Sequence, residues 1–205
     1  MGLTVAAVDT GAVVLCGGAS RRMGRDKASL PFGDETLLDR IVRIVTPCVD
    51  EVRLVAREGQ VLADRGLPVA RDPAEGLGPL AGVIAGLRAT PAERVFVISC
   101  DSPLVQPALV ERLLALSVGH DAAIPRIDGH YVPTTAVYGR GILAAAERLL
   151  ARGELRPRLL VSEPGVRVVA EEELTPVDPE LLSFRDCDTP EEYRDLLARA
   201  GLPPD

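Results

Sequence analysis

An apolar run that breaks into glycines and then gathers positive charge occupies residues 12–27. Ala12 to Cys16 is short, continuous and partly β-branched, which is typical of a strand covered on both faces of a parallel sheet. Gly17 and Gly18 follow at once, and without a Cβ their backbone N–H groups can closely approach a ligand. The stretch therefore predicts a buried strand that delivers a loop to an anion.

The loop carries four cations, which are Arg21, Arg22, Arg25 and Lys27. Backbone donors, an ammonium group and the planar fork of arginine together suit a polyphosphate. A P-loop is excluded because two residues separate Gly24 from Lys27, and the glycine spacing does not fit the dinucleotide fingerprint G-x-G-x-x-G. The alternative to a phosphate loop of another kind is a glycine-rich turn with solvated arginines.

A second apolar run, residues 94–100, ends in Asp101. In open parallel sheets, ligands bind beyond the carboxyl ends of the strands, so we expect Asp101 near the loop that carries Lys27. Magnesium is usually held by one or two carboxylates together with substrate phosphates. Asp101 is therefore a candidate metal ligand, although Asp-Ser-Pro also suits a simple capped turn.

Strand and helix patterns alternate through residue 125, which predicts an α/β fold: a single Rossmann-like domain with a mostly parallel sheet and helices on both faces. The length of 205 residues suits one domain. We expect a nucleotide-binding half over about residues 11–125 and a substrate-binding half over about 126–200. Residues 30–33 predict a turn, Thr36 is a candidate N-cap of the helix that follows it, and Thr189 or Asp188 is a candidate N-cap of the last helix. Residues 163–180, with three prolines and three consecutive glutamates, predict a solvated connection.

The net charge of −7 argues against a nucleic-acid surface, and the local cations favour a small anionic ligand. The sequence shows neither a secretory leader pattern nor an apolar run near the roughly 18 residues of a membrane span, so we expect a cytoplasmic protein without a membrane partner. The four cysteines are widely spaced and favour neither zinc nor a disulfide framework. Cys16 and Cys100 are expected to be buried, inert thiols.

Residues 15–27 resemble the signature L-x-G-G-x-S-x-R-M-G-x-D-K of the nucleotidyltransferases that handle molybdopterin, specifically the MobA-type molybdenum cofactor guanylyltransferases. Three further segments extend the resemblance in the family's order. Residues 78–82 match G-P-L-A-G and residues 100–103 match C-D-x-P. Residues 186–192 resemble N-x-N-T-P-E-E with Asp186 and Asp188 in place of the asparagines.

The resemblance implies transfer of GMP from GTP to molybdenum-bearing molybdopterin, with release of pyrophosphate and with Mg²⁺, or Mn²⁺, as the cofactor. It implies catalytic roles for Lys27, Arg22 and Asp101, and metal ligation by Asp101 with Asp186 or Asp188. The implied GTP contacts are Leu15, Cys16, Gly17, Gly18, Ser20, Lys27, Asp72, Gly78, Pro79 and Asp101.

A second basic cluster spans residues 152–158, and the resemblance places it near the second substrate. Arg156 and Arg158 are candidates to hold the molybdopterin phosphate, while a solvated surface cluster is the alternative. Molybdenum-insertion proteins and chaperones of recipient molybdoenzymes are further candidate partners. His130 is not expected to be catalytic, because phosphoryl transfer depends mainly on positioning and charge.

Two other functions remain open at this point. A molybdopterin cytidylyltransferase, or another small-phosphate nucleotidyltransferase, would use the same fold; the Gly17-Gly18 pair favours guanine, whereas residues 55–57 lack the asparagine that the resemblance would put near the nucleotide. A nucleotide-sensing protein on an inactive transferase scaffold belongs to another class. The retention of Lys27 and Asp101 argues against it.

Overall fold

The structure, a computed structural model, describes residues 8–17, 26–72 and 78–203. In these ranges the chain forms ten strands and five α-helices. The strands are β1 (Thr10–Leu15), β2 (Pro31–Phe32), β3 (Glu35–Thr36), β4 (Glu51–Arg57), β5 (Val69–Asp72), β6 (Arg94–Ser99), β7 (Ala122–Ile127), β8 (His130–Tyr131), β9 (Thr135–Gly139) and β10 (Val166–Ala170). The helices are α1 (Leu37–Val45), α2 (Gly78–Ala89), α3 (Pro107–Leu116), α4 (Leu143–Ala151) and α5 (Pro190–Arg199).

One sheet has the strand order β10-β7-β9-β6-β1-β4-β5, and β8 pairs with β7 outside this path. The pairs β1 with β4, β1 with β6, β4 with β5 and β7 with β10 are parallel. Strand β9 runs antiparallel between β6 and β7. The predicted mostly parallel sheet is confirmed, and β9 joins the earlier and later parts of the chain within it.

The alternation of side chains along β1 builds two layers of core, one on each face of the sheet. Val14 lies in the cluster shared with α1 and α3, whereas Val13 lies in the cluster shared with α2 and α4. A third cluster joins α5 to the small β2–β3 hairpin and includes Phe32 and Leu197. The hairpin and α5 therefore form one unit beside the sheet.

The prediction of a solvated connection over residues 163–180 is wrong. Strand β10 lies in this stretch and pairs in parallel with β7, and Val169, Leu174 and Asp178 are buried. Strand β10 is a short edge strand in which Val169 alone is buried, and the prolines and glutamates around it obscured its apolar residues. Residues 30–33 likewise contain β2, which pairs with β3 rather than forming an isolated turn.

The starts of α1 and α5 follow the sequence. The Thr36 side chain accepts a hydrogen bond from the backbone N–H of Asp39, as predicted for an N-cap. Thr189 caps α5, and Glu192 returns a bond to the backbone of Thr189, which completes a capping box. In the described part of the chain, no helix has both the length and the apolar character needed to span a membrane.

Candidate active site

Lys27 lies at the centre of the candidate site. It begins a short 3-10 turn, Lys27–Ser29, whose first turn is capped by Asp26. The Lys27 Nζ lies 2.7 Å from the Asp101 Oδ2 and 2.6 Å from the Asp188 Oδ1. One ammonium group thereby brings together segments that are 74 and 161 residues away along the chain.

Asp101 follows the carboxyl end of β6, and its side chain is only 14% exposed. Its Oδ1 is buried and has no hydrogen-bond partner among the described residues. The backbone carbonyl of the same residue accepts a bond from the Cys187 N–H at 3.2 Å, which holds the 186–188 segment against the strand end. One carboxylate oxygen of Asp101 is thus hydrogen-bonded to Lys27, whereas the other is buried without a described partner, as expected of a group that binds a ligand.

The charges of the site are unbalanced. Burial by itself would lower the pKa of the Lys27 ammonium, but the carboxylates of Asp101 and Asp188 more than offset it and raise that pKa. Burial, followed by the charges of Asp101 and Asp188, raises the pKa of the Asp186 carboxyl. Three carboxyl groups therefore share one permanently charged lysine within the described part of the site.

The carboxylate oxygens of the site are suitable ligands for a magnesium or manganese ion, since both ions prefer oxygen ligands. The orphaned Asp101 Oδ1 is the observation that supports this fit. Among the described residues, no three side chains of the metal-binding types are arranged as a ready-made ion site. The carboxylates therefore suit a cation that shares its ligands with substrate phosphates.

A cleft opens at the carboxyl ends of β1, β4 and β6. It contains five of the predicted nucleotide contacts, together with residues of β4, α2 and β6 and the residue that precedes β9. The lining residues are Leu15, Gly17, Val55, Ala56, Asp72, Gly78, Pro79, Gly82, Ser99 and Thr134. Ser99 lies two residues before Asp101, so the cleft and the Lys27 site adjoin along one strand.

Two glycines allow close packing of the segments that line this cleft. A Cβ at Gly17 would lie 2.7 Å from the Arg57 Cγ, and one at Gly78 would lie 2.9 Å from the Leu155 carbonyl oxygen. Gly78 also has a φ of +65°, which side-chain-bearing residues rarely adopt. Glycine is therefore required at both positions for close packing, whether or not a ligand is bound.

Other predicted residues lie elsewhere. The Cys16 side chain belongs to the apolar cluster on the α1 and α3 face and does not line the cleft. Arg156 is 60% exposed and lies 3.5 Å from Glu154, and Arg158 is exposed. Leu155, which directly precedes Arg156, contacts the start of α2.

Three predicted residues of the glycine-rich loop, Gly18, Ser20 and Arg22, lie outside the described residues. Gln60 was not predicted from the sequence, and its side-chain amide donates to the carbonyl oxygen of Cys16 and to the carboxylate of Asp26. No motif marks this residue, and its contact with Cys16 spans 44 positions. Ser99 and Thr134 were also missed, although Ser99 directly precedes the Cys100-Asp101 pair at a strand end.

Comparison with known proteins gives the family. The family model of the MobA-like NTP transferase domain matches residues 12–169. The chain belongs to this family. A probable molybdenum cofactor guanylyltransferase of Methanosarcina mazei is 35% identical over 204 residues, covering 92% of this chain and 90% of that protein. A molybdenum cofactor guanylyltransferase of Desulfosudis oleivorans is 31% identical over 182 residues, covering 88% and 90%.

A solved structure agrees with these relatives of the MobA-like family. The molybdopterin-guanine dinucleotide biosynthesis protein A of Archaeoglobus fulgidus superposes with a TM-score of 0.82, at 26% identity, over 93% of this chain and 98% of that one. The family match ends at residue 169, before the 186–188 segment. The contacts that place Asp188 on Lys27 therefore come from a part of the fold beyond the matched domain.

Proposed function

We propose that this MobA-like transferase moves GMP from GTP to molybdenum-bearing molybdopterin and releases pyrophosphate. The contact of Lys27 with Asp101 and Asp188, beside a glycine-walled cleft, carries the proposal. The names of the relatives from M. mazei and D. oleivorans supply the substrates.

The reaction joins a terminal phosphate of the pterin to the α-phosphorus of GTP, while the bond from the α-phosphorus to the bridging oxygen breaks. The attacking group is already an anion, so no protein base is required. Both histidines, His120 and His130, are exposed and do not line the cleft. The protein therefore acts by positioning and by charge.

Lys27 is suited to stabilise the pyrophosphate that leaves. Its raised pKa keeps the ammonium charged throughout the physiological range. We assign the phosphate cradle to the Gly17 backbone and to Gly18, Ser20 and Arg22, of which the last three lie outside the described residues. The cleft residues Leu15, Asp72, Gly78 and Pro79 are assigned to the base and ribose of GTP.

We assign the magnesium ligands to Asp101 and Asp186, with Asp188 as the partner of Lys27. The Asp101 Oδ1 has no described partner, whereas the Asp188 Oδ1 is engaged by the lysine. When bound, magnesium supplies positive charge to the phosphate oxygens. Arg156 and Arg158 are exposed, as a site for the pterin phosphate requires, and their segment touches the α2 end of the cleft.

Calorimetry with GTP, CTP, ATP and UTP in the presence of Mg²⁺ tests the nucleotide. We expect a clear preference for GTP, followed by pyrophosphate release when molybdenum-bearing molybdopterin is added. A preference for CTP would indicate a cytidylyltransferase, and tight binding without turnover would indicate a sensor.

Asp101→Asn tests the site itself. It keeps the shape of the side chain but removes the charge that faces Lys27, so we expect turnover to fall about 100-fold or more while the fold persists. Glu35→Gln is a matched control, because Glu35 is likewise a partly buried carboxylate in an ion pair, but its partners are Arg40 and Arg43 and it does not line the cleft. Equal activity of Asp101→Asn and Glu35→Gln would contradict the assignment.

A further inference from the structure

Gln60 is a buried amide that spans the two described ends of the glycine-rich stretch. Its Nε2 donates to the Cys16 carbonyl oxygen at 3.0 Å and to the Asp26 Oδ2 at 2.8 Å. Its Oε1 accepts the Arg57 N–H at 3.1 Å. The opposite amide orientation would set oxygen against two acceptors and nitrogen against a donor, so the three partners determine which way the group points.

Each partner of the Gln60 Nε2 leads to a different part of the site. The other oxygen of Asp26 accepts the Ala28 N–H at 3.1 Å and so begins the short turn that carries Lys27. Cys16 is followed directly by Gly17, which lines the cleft. The amide thus connects the turn that holds the ammonium group to the wall of the nucleotide cleft.

The turn that bears Gln60 is itself held in place. The Gln60 N–H donates to the Arg57 carbonyl oxygen at 3.1 Å. Arg71 Nη1 donates to the Gln60 carbonyl oxygen at 2.7 Å and to the Arg57 carbonyl oxygen at 3.2 Å. Since Arg71 belongs to β5, the amide is anchored to the sheet and not to a free loop.

We propose that Gln60 is a positioning residue that holds the Lys27 turn at a set distance from the end of β1. The inference rests on the proposed guanylyl transfer and adds to it a residue that contacts neither cleft nor ammonium. Among the donors of the described residues, removing the amide would leave the Cys16 carbonyl oxygen with only the weak Cys100 Sγ–H donor at 4.0 Å, and the Asp26 carboxylate with only its bond from the Ala28 N–H. Lys27 would then lose its placement against the phosphates, although Gln60 does not contact the lysine itself.

Steady-state kinetics of three variants test this role. Gln60→Ala removes the amide, and Gln60→Glu keeps its size but turns the donor into an oxygen that faces Asp26. Gln106→Ala is the control, since Gln106 is the other glutamine of the chain and, among the described residues, its side-chain amide bonds only to the nearby Leu104 carbonyl oxygen. We expect kcat/KM for GTP to fall about tenfold in Gln60→Ala and at least as far in Gln60→Glu. The KM for molybdopterin should be unchanged in both variants, and Gln106→Ala should have the kcat/KM of the wild type.

Near-normal activity of Gln60→Glu beside an impaired Gln60→Ala would overturn the proposal, because the residue would then act by packing alone. Unchanged kinetics in both variants would overturn it as well. A second measurement needs no nucleotide: hydrogen exchange of the Ala28 amide should accelerate in both Gln60 variants and not in Gln106→Ala. If the wild type does not bind GTP but Ala28 exchange is faster in the Gln60 variants, the proposed function is contradicted and the positioning role of Gln60 is not. If Ala28 exchange is unchanged in the Gln60 variants, the positioning role itself is contradicted.

Discussion

Cys16 and Cys100 follow neighbouring positions of two parallel strands, because Leu15 pairs with Ser99 in the register of β1 and β6. Burial, with a smaller contribution from the Asp26 charge, raises the pKa of the Cys16 thiol to about 12. Burial also raises the pKa of Cys100 well above its usual value and, with the Asp101 charge, that of Cys187 to about 12. These thiols are space-filling groups beneath the site, as predicted for Cys16 and Cys100 from the sequence.

We expect thiol labelling of the native protein at pH 8 to modify about one cysteine per chain, because only thiolates react and the thiolate fraction falls as the pKa rises. Cys48 is the half-buried thiol and should react first. Mass spectrometry of the labelled protein measures this, with all four cysteines reacting in denaturant. Cys48→Ser should abolish native labelling; rapid modification of Cys16 in that variant would contradict the prediction.

Helix α2 lies so close to β1 that its glycines decide the packing distance. A Cβ at Gly86 would lie 2.6 Å from the Val13 Cγ1, whereas one at Gly82 would lie 3.3 Å from the Leu15 Cδ2. Val13 is fully buried in the centre of the sheet and stiff at χ1, so it cannot yield. Leu15 ends its strand and has a longer, more adaptable side chain.

Gly86→Ala is therefore expected to lower the free energy of unfolding by about 1–2 kcal/mol, since overpacking exceeds the gain in helix propensity. Gly82→Ala, in the same helix, makes the same gain without the severe contact and should stay within about 0.5 kcal/mol of wild type. Urea unfolding followed by circular dichroism measures both. Equal stability of the two variants would show that α2 shifts freely on the sheet.

The C-terminal segment contributes both to the hydrophobic core and to the candidate active site. Phe32, Leu37 and Leu104 pack in the third cluster against Tyr193 and Leu197 of α5. The segment also brings Asp188 to Lys27 and ties Cys187 to the Asp101 carbonyl oxygen. The sheet alone therefore does not contain the whole structure, although it contains eight of the ten described strands.

A chain that ends at residue 170 keeps those strands but uncovers the third cluster and removes Asp186 and Asp188. We expect it to lose cooperative unfolding and GTP binding, because a large apolar surface is exposed at once. Leu197→Ala in the full chain is the graded comparison and should cost about 2–4 kcal/mol while unfolding remains cooperative. A sharp thermal transition of the truncated chain near the wild-type midpoint would contradict the prediction.

Local patterns in the sequence predicted the elements whose signals lie within a few residues. The apolar run of β1, the Asp101 that follows β6 and the Thr36 and Thr189 caps are of this kind. Their signals are short-range, since a continuous apolar run and a capping residue can each be recognised from residues that are neighbours along the chain. The edge strand β10 was missed because its five residues are flanked by a proline and by three glutamates, and because its pairing with the distant β7 is not visible locally.

The sequence alone thus determined the α/β alternation and the residue types that phosphate chemistry needs. Only the tertiary structure decided that Lys27 lies between Asp101 and Asp188, that β9 runs antiparallel between β6 and β7, and that Gln60 joins Cys16 to Asp26. Each of these contacts links residues far apart along the chain, so no local pattern encodes it. They form because packing of the completed sheet and helices brings the groups together and pairs polar atoms that would otherwise be buried alone.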